Sequence, residues 1–149
     1  SAATSQKPLA VLEAMDAWFG GMRGKAKNRM IMAGDLNVAP LPADVWSHKQ
    51  LLKVVSHTPA EVERLERVQA SHDWVDVMRR HVPPAEKLFT WWSYRARDWA
   101  ESDRGRRLDH VWAAPSIAAQ LKDYTIVREA RGWQQPSDHV PVMVTLDID

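Results

Sequence analysis

Hydrophobic positions recur with two different periods along the chain, and each period predicts its own kind of element. In residues 8–23 the apolar side chains follow one another at intervals of three and four, which is the spacing of one helical face. Residues 58–61 (TPAE) carry a capping threonine, a proline and an acidic residue, which predicts a helix running to about Ala70. A further helix is predicted over residues 73–80. Short apolar or alternating segments predict strands at 29–33, 89–94, 108–113, 124–127 and 140–148.

The mixture of helices and strands predicts an α/β or α+β fold, and 149 residues is the length of one domain. With 45% hydrophobic and 26% charged residues, the chain has the composition of a globular protein rather than a disordered one. No apolar run approaches the roughly 18 residues of a membrane helix, so no membrane partner is expected. The absence of cysteine excludes disulfides and thiolate metal sites, and it fits a cytoplasmic protein.

Charge is distributed unevenly along the chain, although the formal net charge is only +1. Residues 79–107 contain eight basic and four acidic residues, together with three of the eight tryptophans. Basic side chains interleaved with aromatic ones suit a nucleic acid, whose phosphates would contact the cations and whose bases or sugars would contact the rings. A solvated loop with a few core aromatic residues is the alternative interpretation of this segment.

Polar side chains that can do chemistry cluster at the ends of three predicted strands. They are Asp35 and Asn37 after the first strand, Asp109 in a later one, and Asp138 and His139 before the last. A carboxylate and an amide two residues apart can contact one phosphate and its attacking water, and an Asp–His pair can orient an imidazole towards an anionic oxygen. Without cysteine, such carboxylates favour hard cations such as Mg²⁺ or Mn²⁺. The alternatives are turn-forming roles for the loop residues and a structural ion pair for Asp109.

The order of four motifs resembles one family closely. Residues 34–40 (GDLNVAP) resemble the GD-x-N motif of the exodeoxyribonuclease III and AP endonuclease family, in the endonuclease/exonuclease/phosphatase superfamily. Residues 89–95 (FTWWSYR) are similar to its aromatic strand, 107–109 (RLD) to its RxD segment, and 137–142 (SDHVPV) to its terminal SDHxPV signature. The resemblance covers roughly residues 7–148. It implies a DNA repair nuclease that hydrolyses phosphodiester bonds with Mg²⁺ or Mn²⁺, at abasic sites as an AP endonuclease and at 3′ ends as a 3′–5′ exonuclease.

The resemblance also implies a role for each matching residue. Asp35 would activate or orient the attacking water, or protonate the leaving oxygen, and Asn37 would hold the scissile phosphate. His139 would contact that phosphate and stabilise its developing charge, while Asp109 would fix the orientation of the imidazole. The divalent ion would be bound by Asp138 and Asp35. An unpaired carboxylate in an apolar strand is costly, so Asp109 and His139 are expected to be hydrogen-bonded to one another.

Substrate contacts are expected from Trp91, which would line the pocket for a flipped abasic sugar, and from Asn37, Arg95 and Arg107. The expected substrate is double-stranded DNA with abasic sites or 3′ ends. Related enzymes of this fold hydrolyse RNA or phospholipid headgroups, which is one alternative. A catalytically inactive half-domain that binds nucleic acid or a partner is the other. The aromatic motif at 89–95 and the basic stretch at 79–107 favour DNA over a lipid headgroup.

The family's chains are longer and begin with a further half that holds a metal-binding glutamate, an asparagine and a catalytic tyrosine. None of these has a counterpart in this sequence. The resemblance therefore implies that residues 1–149 form a partial domain, the C-terminal half of a four-layer α/β sandwich with a mixed, mainly antiparallel sheet and helices on one face. Such a half is expected to be inactive alone and to bind Mg²⁺ weakly. Its strands are expected to be buried on both faces, through a homodimer or a complex with the missing N-terminal half.

Overall fold

The computed structural model describes residues 2–22 and 28–149, with side chains described from residue 9 onward. Arg23, the last residue of the first predicted helix, lies outside the described residues. The helices are α1 (Ala2–Gly20), α2 (His48–Leu51), α3 (Pro59–Ser71), α4 (Val77–His81), α5 (Trp99–Ser102) and α6 (Pro115–Ala118), with 3₁₀ turns at Pro42–Asp44 and Arg128–Gly132. The strands are β1 (Ile31–Asp35), β2 (Val75–Asp76), β3 (Asp109–Ala113), β4 (Leu121–Ile126) and β5 (Val142–Leu146). No described helix is long and apolar enough to cross a bilayer.

The strands form two antiparallel sheets. One sheet has three strands in the order β1-β3-β2, and the other pairs β4 with β5. The register of β1 on β3 sets Asp35 directly opposite Asp109. This arrangement confirms the expected α/β class with antiparallel sheets. It also brings two carboxylates that are far apart in sequence to the same end of one sheet.

The main hydrophobic core lies where α1 and α3 pack against each other and against the three-stranded sheet. α3 begins where the sequence predicts, because Thr58 and Glu61 cap it reciprocally. The Thr58 hydroxyl accepts the N–H of Glu61, and the Glu61 carboxylate accepts the N–H of Thr58. Burial of the facing apolar side chains stabilises the pair of helices. The buried members of this core include Leu12, Phe19, Leu65, Val68 and Trp112.

α4 contacts both sheets and joins them, with Val77 packed near Ala113 of β3 and Val144 of β5. The helix that was predicted at 73–80 begins later than expected, at Val77. Residues 75–76 pair with β3 instead, since they form β2. The carboxylate of Asp76 then accepts the N–H of Arg79 and caps the new helix.

The predicted strand at 89–94 is wrong, because this segment does not join a sheet. Its backbone forms isolated bridges, in which Trp91 pairs with Arg106 on one side and with His139 on the other. The N–H of Trp92 also donates to the carbonyl of Asp138 at 2.9 Å. Backbone hydrogen bonds to the loops at Arg106 and His139 therefore hold this aromatic segment in place, and they position the candidate site.

Burial of the strands on both faces through a second copy or the N-terminal half stays a prediction, and in this single chain β1 and β5 each keep exposed positions. β1 is an edge strand, and four of its five residues are exposed. β5 alternates between half-buried and exposed residues, the pattern of a strand with one covered face. A sheet with one covered face accounts for both observations.

Candidate active site

Asp35 closes β1, and the turn after it fixes its carboxylate. Asn37 adopts a φ of 53°, which asparagine tolerates better than most residues. Its backbone N–H donates to Asp35 Oδ1 at 2.8 Å. The second oxygen, Oδ2, is not used by this turn. The Gly-Asp-Leu-Asn sequence therefore presents a carboxylate that is held by one oxygen and available through the other.

Asp109 opens β3 opposite Asp35, and Thr90 orients it. The Thr90 hydroxyl donates to Asp109 Oδ2 at 2.7 Å and accepts the N–H groups of Leu108 and Asp109 at 3.0 and 3.1 Å. Thr90 is completely buried, so its hydroxyl has few alternative orientations. The sequence analysis missed this residue. The available signal was a threonine placed directly between aromatic residues of the segment 89–94.

His139 completes the group, because its Nδ1 lies 2.9 Å from Asp109 Oδ2. This confirms the predicted hydrogen bond between the two residues. A carboxylate only accepts, so Nδ1 carries the donated proton. The other ring nitrogen, Nε2, lies 3.8 Å from Asp35 Oδ2. A series of polar contacts therefore runs from Thr90 through Asp109 to His139. It ends at the 3.8 Å gap between Nε2 of the histidine and Oδ2 of Asp35.

Three carboxylates tune the charge of this imidazole. Partial burial lowers the pKa of His139, but the hydrogen bond and charge of Asp109, with the charges of Asp35 and Asp138, outweigh that effect. The pKa of His139 is therefore raised above its ordinary value. A raised pKa favours the imidazolium, which has an N–H on each nitrogen and can donate to an anionic oxygen.

Asp138 adjoins this group through Trp91. The indole Nε1–H of Trp91 donates to Asp138 Oδ2 at 3.0 Å. The N–H of Val140 donates to the carbonyl of Thr90 at 2.9 Å, so the segments around 90 and 139 are paired on both sides of His139. Trp91 thereby holds the Ser-Asp-His loop while its ring lines a neighbouring cavity.

A cavity of about 520 Å³ opens beside the polar group. Asp35, Asn37 and Trp91 line it together with Arg106, and apolar side chains of α1 form another wall. Arg106 was not selected from the sequence. Its guanidinium lies over the Trp91 ring at 5.1 Å and donates to Ser56 Oγ at 2.9 Å. Partial burial lowers the pKa of Arg106 from its usual value.

Arg107, predicted to contact substrate, does not reach this cavity, and that prediction is wrong. Its side chain is completely buried, with Nε 2.8 Å from Asp44 Oδ1 and Nη1 2.8 Å from Asp76 Oδ2. Successive residues of an extended chain point to opposite sides, so only one of Arg106 and Arg107 can face the cavity. Of these two neighbours, Arg106 is the one that lines the cavity. Arg95 is exposed and lines a second cavity, also bounded by Trp91.

A divalent cation fits the chemistry of this site. Potential ligand atoms of Asp35, Asp109 and His139 lie within 4.8 Å of one another, a group that does not include the expected ligand Asp138. Asp109 Oδ2 is already occupied by Thr90 and His139. In the described part of the chain, hydrogen bonds use Oδ1 of Asp35 and Oδ2 of Asp138, which leaves one hard oxygen on each.

Comparison with known proteins places this geometry in context. Residues 9–139 match the Endonuclease/Exonuclease/phosphatase family. The chain is 28% identical over 121 residues to exodeoxyribonuclease III of Haemophilus influenzae, covering 77% of this chain and 45% of that protein. It is 32% identical over 124 residues to an exodeoxyribonuclease of Bacillus subtilis, covering 82% and 46%.

The fold is also similar to a solved structure of an AP endonuclease from Archaeoglobus fulgidus. The TM-score is 0.88 at 28% identity, and the match covers 96% of this chain and 55% of the other. The chain spans about half the length of the curated relatives it matches. The order of elements around Asp35, Asp109 and His139 therefore belongs to a known architecture.

Proposed function

The chain belongs to the endonuclease/exonuclease/phosphatase family, and on that premise we propose that it hydrolyses phosphodiester bonds in DNA. The observation that carries the proposal is the series Thr90–Asp109–His139 with Asp35 facing Nε2. The relatives named as exodeoxyribonucleases and the AP endonuclease structure support DNA as the substrate. We propose 3′ ends and abasic sites of double-stranded DNA as the positions of cleavage.

His139 is proposed to stabilise the charge that develops on the phosphoryl oxygens. Asp109 holds Nδ1–H at 2.9 Å, so the opposite edge of the ring has a fixed direction. The pKa of His139 is raised by its three carboxylate neighbours, which favours the form with a proton on Nε2. A donor held in place before reaction needs little reorganisation in the transition state, which is the source of its effect. Asn37 is proposed to hold the same phosphate through its side-chain amide.

Asp35 is proposed to act on the attacking water. Its Oδ1 is occupied by the N–H of Asn37, so Oδ2 is the oxygen that can accept a proton from that water. The 3.8 Å between Oδ2 and His139 Nε2 separates a proton acceptor from a proton donor. An acceptor for the nucleophile and a donor for the phosphate are thus supplied by neighbouring side chains.

Mg²⁺ or Mn²⁺ is proposed as the cofactor, held by the remaining oxygens of Asp138 and Asp35. When bound, such an ion neutralises phosphate charge and lowers the pKa of bound water. Two carboxylates are few ligands for a cation that gives up its waters reluctantly. We therefore expect this chain alone to bind Mg²⁺ with a dissociation constant of about 1 mM or higher. Isothermal titration calorimetry with MgCl₂ measures this directly.

Substrate recognition is proposed to use Trp91, Arg95 and Arg106. Trp91 lines the cavity of about 520 Å³ beside Asp35, a volume suited to an unstacked sugar. Arg106 takes the place that the sequence analysis assigned to Arg107, because it lines the same cavity. Arg95 is exposed beside the neighbouring cavity and is proposed to contact the DNA backbone.

We also propose that an apolar face of this chain is covered in the working protein. Val11, Trp18 and Ile31 are 60%, 64% and 44% exposed, and β1 has an unpaired edge. A second copy, or an additional half-domain of the kind that the greater length of the relatives allows, would bury them. Sedimentation of the chain at micromolar concentration should show self-association. A stable monomer that does not aggregate would contradict this part of the proposal.

The function is tested by incision of a labelled duplex containing one tetrahydrofuran abasic analogue. The complete reading frame that contains this chain and the chain alone are assayed with and without Mg²⁺. We expect metal-dependent incision by the complete protein, no incision by the chain alone, loss of incision in Asp35→Asn, and retention in Asp147→Asn, an exposed site after β5. Hydrolysis of RNA or phospholipid headgroups without cleavage of DNA would contradict the proposal.

A further inference from the structure

A second cavity lies on the far side of Trp91 and Arg106 from Asp35. Its volume is about 480 Å³, and its lining includes Trp46 and Arg104. Trp91 and Arg106 line both cavities, so together they form the wall between them. The two cavities are therefore neighbours, separated by these two side chains.

The second cavity is built from aromatic rings and guanidinium groups that lie against one another. Arg104 lies over the Trp46 ring at 4.6 Å, and Arg106 lies over the Trp91 ring at 5.1 Å. Between the two arginines, Gly105 packs so closely on Phe89 that an added Cβ would lie 2.6 Å from the Phe89 ring. The backbone that carries both arginines is therefore held against the core.

Trp46 is also anchored through its backbone. Its N–H donates to the carbonyl of Gly105 at 3.2 Å, and its carbonyl accepts from Lys87 Nζ at 2.6 Å. The indole is half-buried, while Arg104 is exposed and has a flexible side chain. The Trp46 ring is thus held in place, whereas the Arg104 guanidinium above it can move.

The charge of the lining is predominantly positive. Arg95, Arg104 and Arg106 contribute three cations, and Asp98 is the one carboxylate among the described lining residues. Indole faces bind nucleobases by stacking, and guanidinium groups bind phosphate. Rings and cations within one cavity are the chemistry that recognises a nucleotide.

We propose that this cavity is a subsite for an unstacked nucleotide of the DNA strand, next to the nucleotide whose phosphate lies at Asp35 and His139. The base stacks on Trp46, and Arg104 moves from the ring to the phosphate. An exposed cation–π contact is weaker than a base–indole stack, so the exchange is favourable. This subsite rests on the proposed function, because it extends the same strand beyond the wall of Trp91 and Arg106.

The subsite is tested by binding rather than by cleavage. The probe is fluorescein-labelled octathymidylate, titrated with the chain in EDTA at fixed salt and followed by anisotropy. Arg104→Gln and Trp46→Leu should each weaken binding five- to tenfold. Arg97→Gln, an exposed change of equal charge in the same loop, should weaken it less than threefold. Circular dichroism checks the fold of Trp46→Leu, and Arg104→Gln changes only an exposed side chain.

A second probe separates stacking from charge. An octamer of abasic tetrahydrofuran residues has the same phosphates but no bases, so Trp46→Leu should change its affinity less than twofold. Equal losses of affinity for octathymidylate in Arg104→Gln and Arg97→Gln would overturn the subsite. An equal effect of Trp46→Leu on the affinities for both probes would also overturn it. Failure of the chain to bind octathymidylate would overturn it as well. None of these outcomes bears on incision of the abasic duplex, which tests the proposed function separately.

Discussion

Two groups of charged side chains flank the start of β3, and they differ in how completely their charges are paired. Arg107 and Asp44 are fully buried, and each charge faces an opposite one at about 2.8 Å. Asp35 and His139 retain roughly a third of their side-chain exposure, and their facing atoms are 3.8 Å apart. The first group is satisfied by its own members, whereas the second keeps charge available for a ligand.

The buried group shows what such pairing does to a carboxyl. Burial alone raises the pKa of Asp44, but Arg107 and Arg79 outweigh it and hold that pKa below its usual value. The charges therefore fix the loop at Asp44, the strand β2 and the start of β3 relative to one another. Because Asp109 follows Arg107 by two residues, this fixed group also sets the position of the open one.

Removal of Arg107 should break the buried group with the largest effect on stability. Arg107→Leu leaves Asp44 and Asp76 without their main partner, so we expect a loss of about 3–5 kcal/mol in the free energy of unfolding. Urea denaturation followed by tryptophan fluorescence measures it. Arg80→Leu, at an exposed position of α4, is the control and should change stability by less than about 0.5 kcal/mol. A loss below about 1 kcal/mol for Arg107→Leu would show that the ion pairs are not structural.

The two histidines beside these groups should respond to pH with opposite signs. Burial, with the charge of Arg107, lowers the pKa of His110 to about 4. Below pH 6.5 the imidazole is therefore protonated in the unfolded chain but stays neutral in the folded one. The free energy of unfolding falls as the pH drops from 6.5 to 4, by about 3 kcal/mol in all. The raised pKa of His139, due to its carboxylate neighbours, stabilises the fold below pH 6.5, and this contribution is lost as pH rises through the folded pKa.

This difference is measured by urea denaturation of the native chain and of His110→Gln at several pH values. The native chain should lose stability more steeply than the variant as the pH falls from 6.5 to 4. Carboxyl groups titrate in both proteins, so the comparison isolates His110. Parallel curves for the two proteins would contradict a buried neutral imidazole at this position.

Thr90→Val should destabilise the partly exposed group around His139, with a smaller effect than Arg107→Leu has on the buried group. It removes the hydroxyl that donates to Asp109 and accepts two backbone N–H groups. We expect a loss of about 1–3 kcal/mol in the free energy of unfolding, since two buried donors lose their partner. Differential scanning calorimetry measures it, with Thr145→Val on the exposed face of β5 as the control. Equal melting temperatures of Thr90→Val and the native chain would remove Thr90 from the site.

The sequence predicted those features that depend on near neighbours. α3 begins at the predicted cap because Thr58 and Glu61 are three residues apart. The Asp109–His139 hydrogen bond was also predicted, since an aspartate in an apolar strand needs a partner and the terminal motif supplies a histidine. In both cases the requirement is visible in the residues themselves.

The features that failed depend on partners distant in sequence. Arg107 is buried because Asp44, 63 positions away, meets it in the fold. The segment 89–94 has strand propensity, but its hydrogen bonds go to the loops at Arg106 and His139. Thr90 was overlooked because its role requires the backbone of β3 to pass beside it. Local pattern alone does not specify which loop a side chain will meet.

The role proposed for His139, which Asp109 orients, is to act directly on the scissile phosphate. It is tested most directly by kcat/KM for incision of the abasic duplex by the complete reading frame carrying His139→Asn. We expect a loss of about 10²–10⁴-fold with unchanged folding, and no change for the control His81→Asn, which alters an exposed histidine of α4. Equal values of kcat/KM for His139→Asn and the native protein would contradict it.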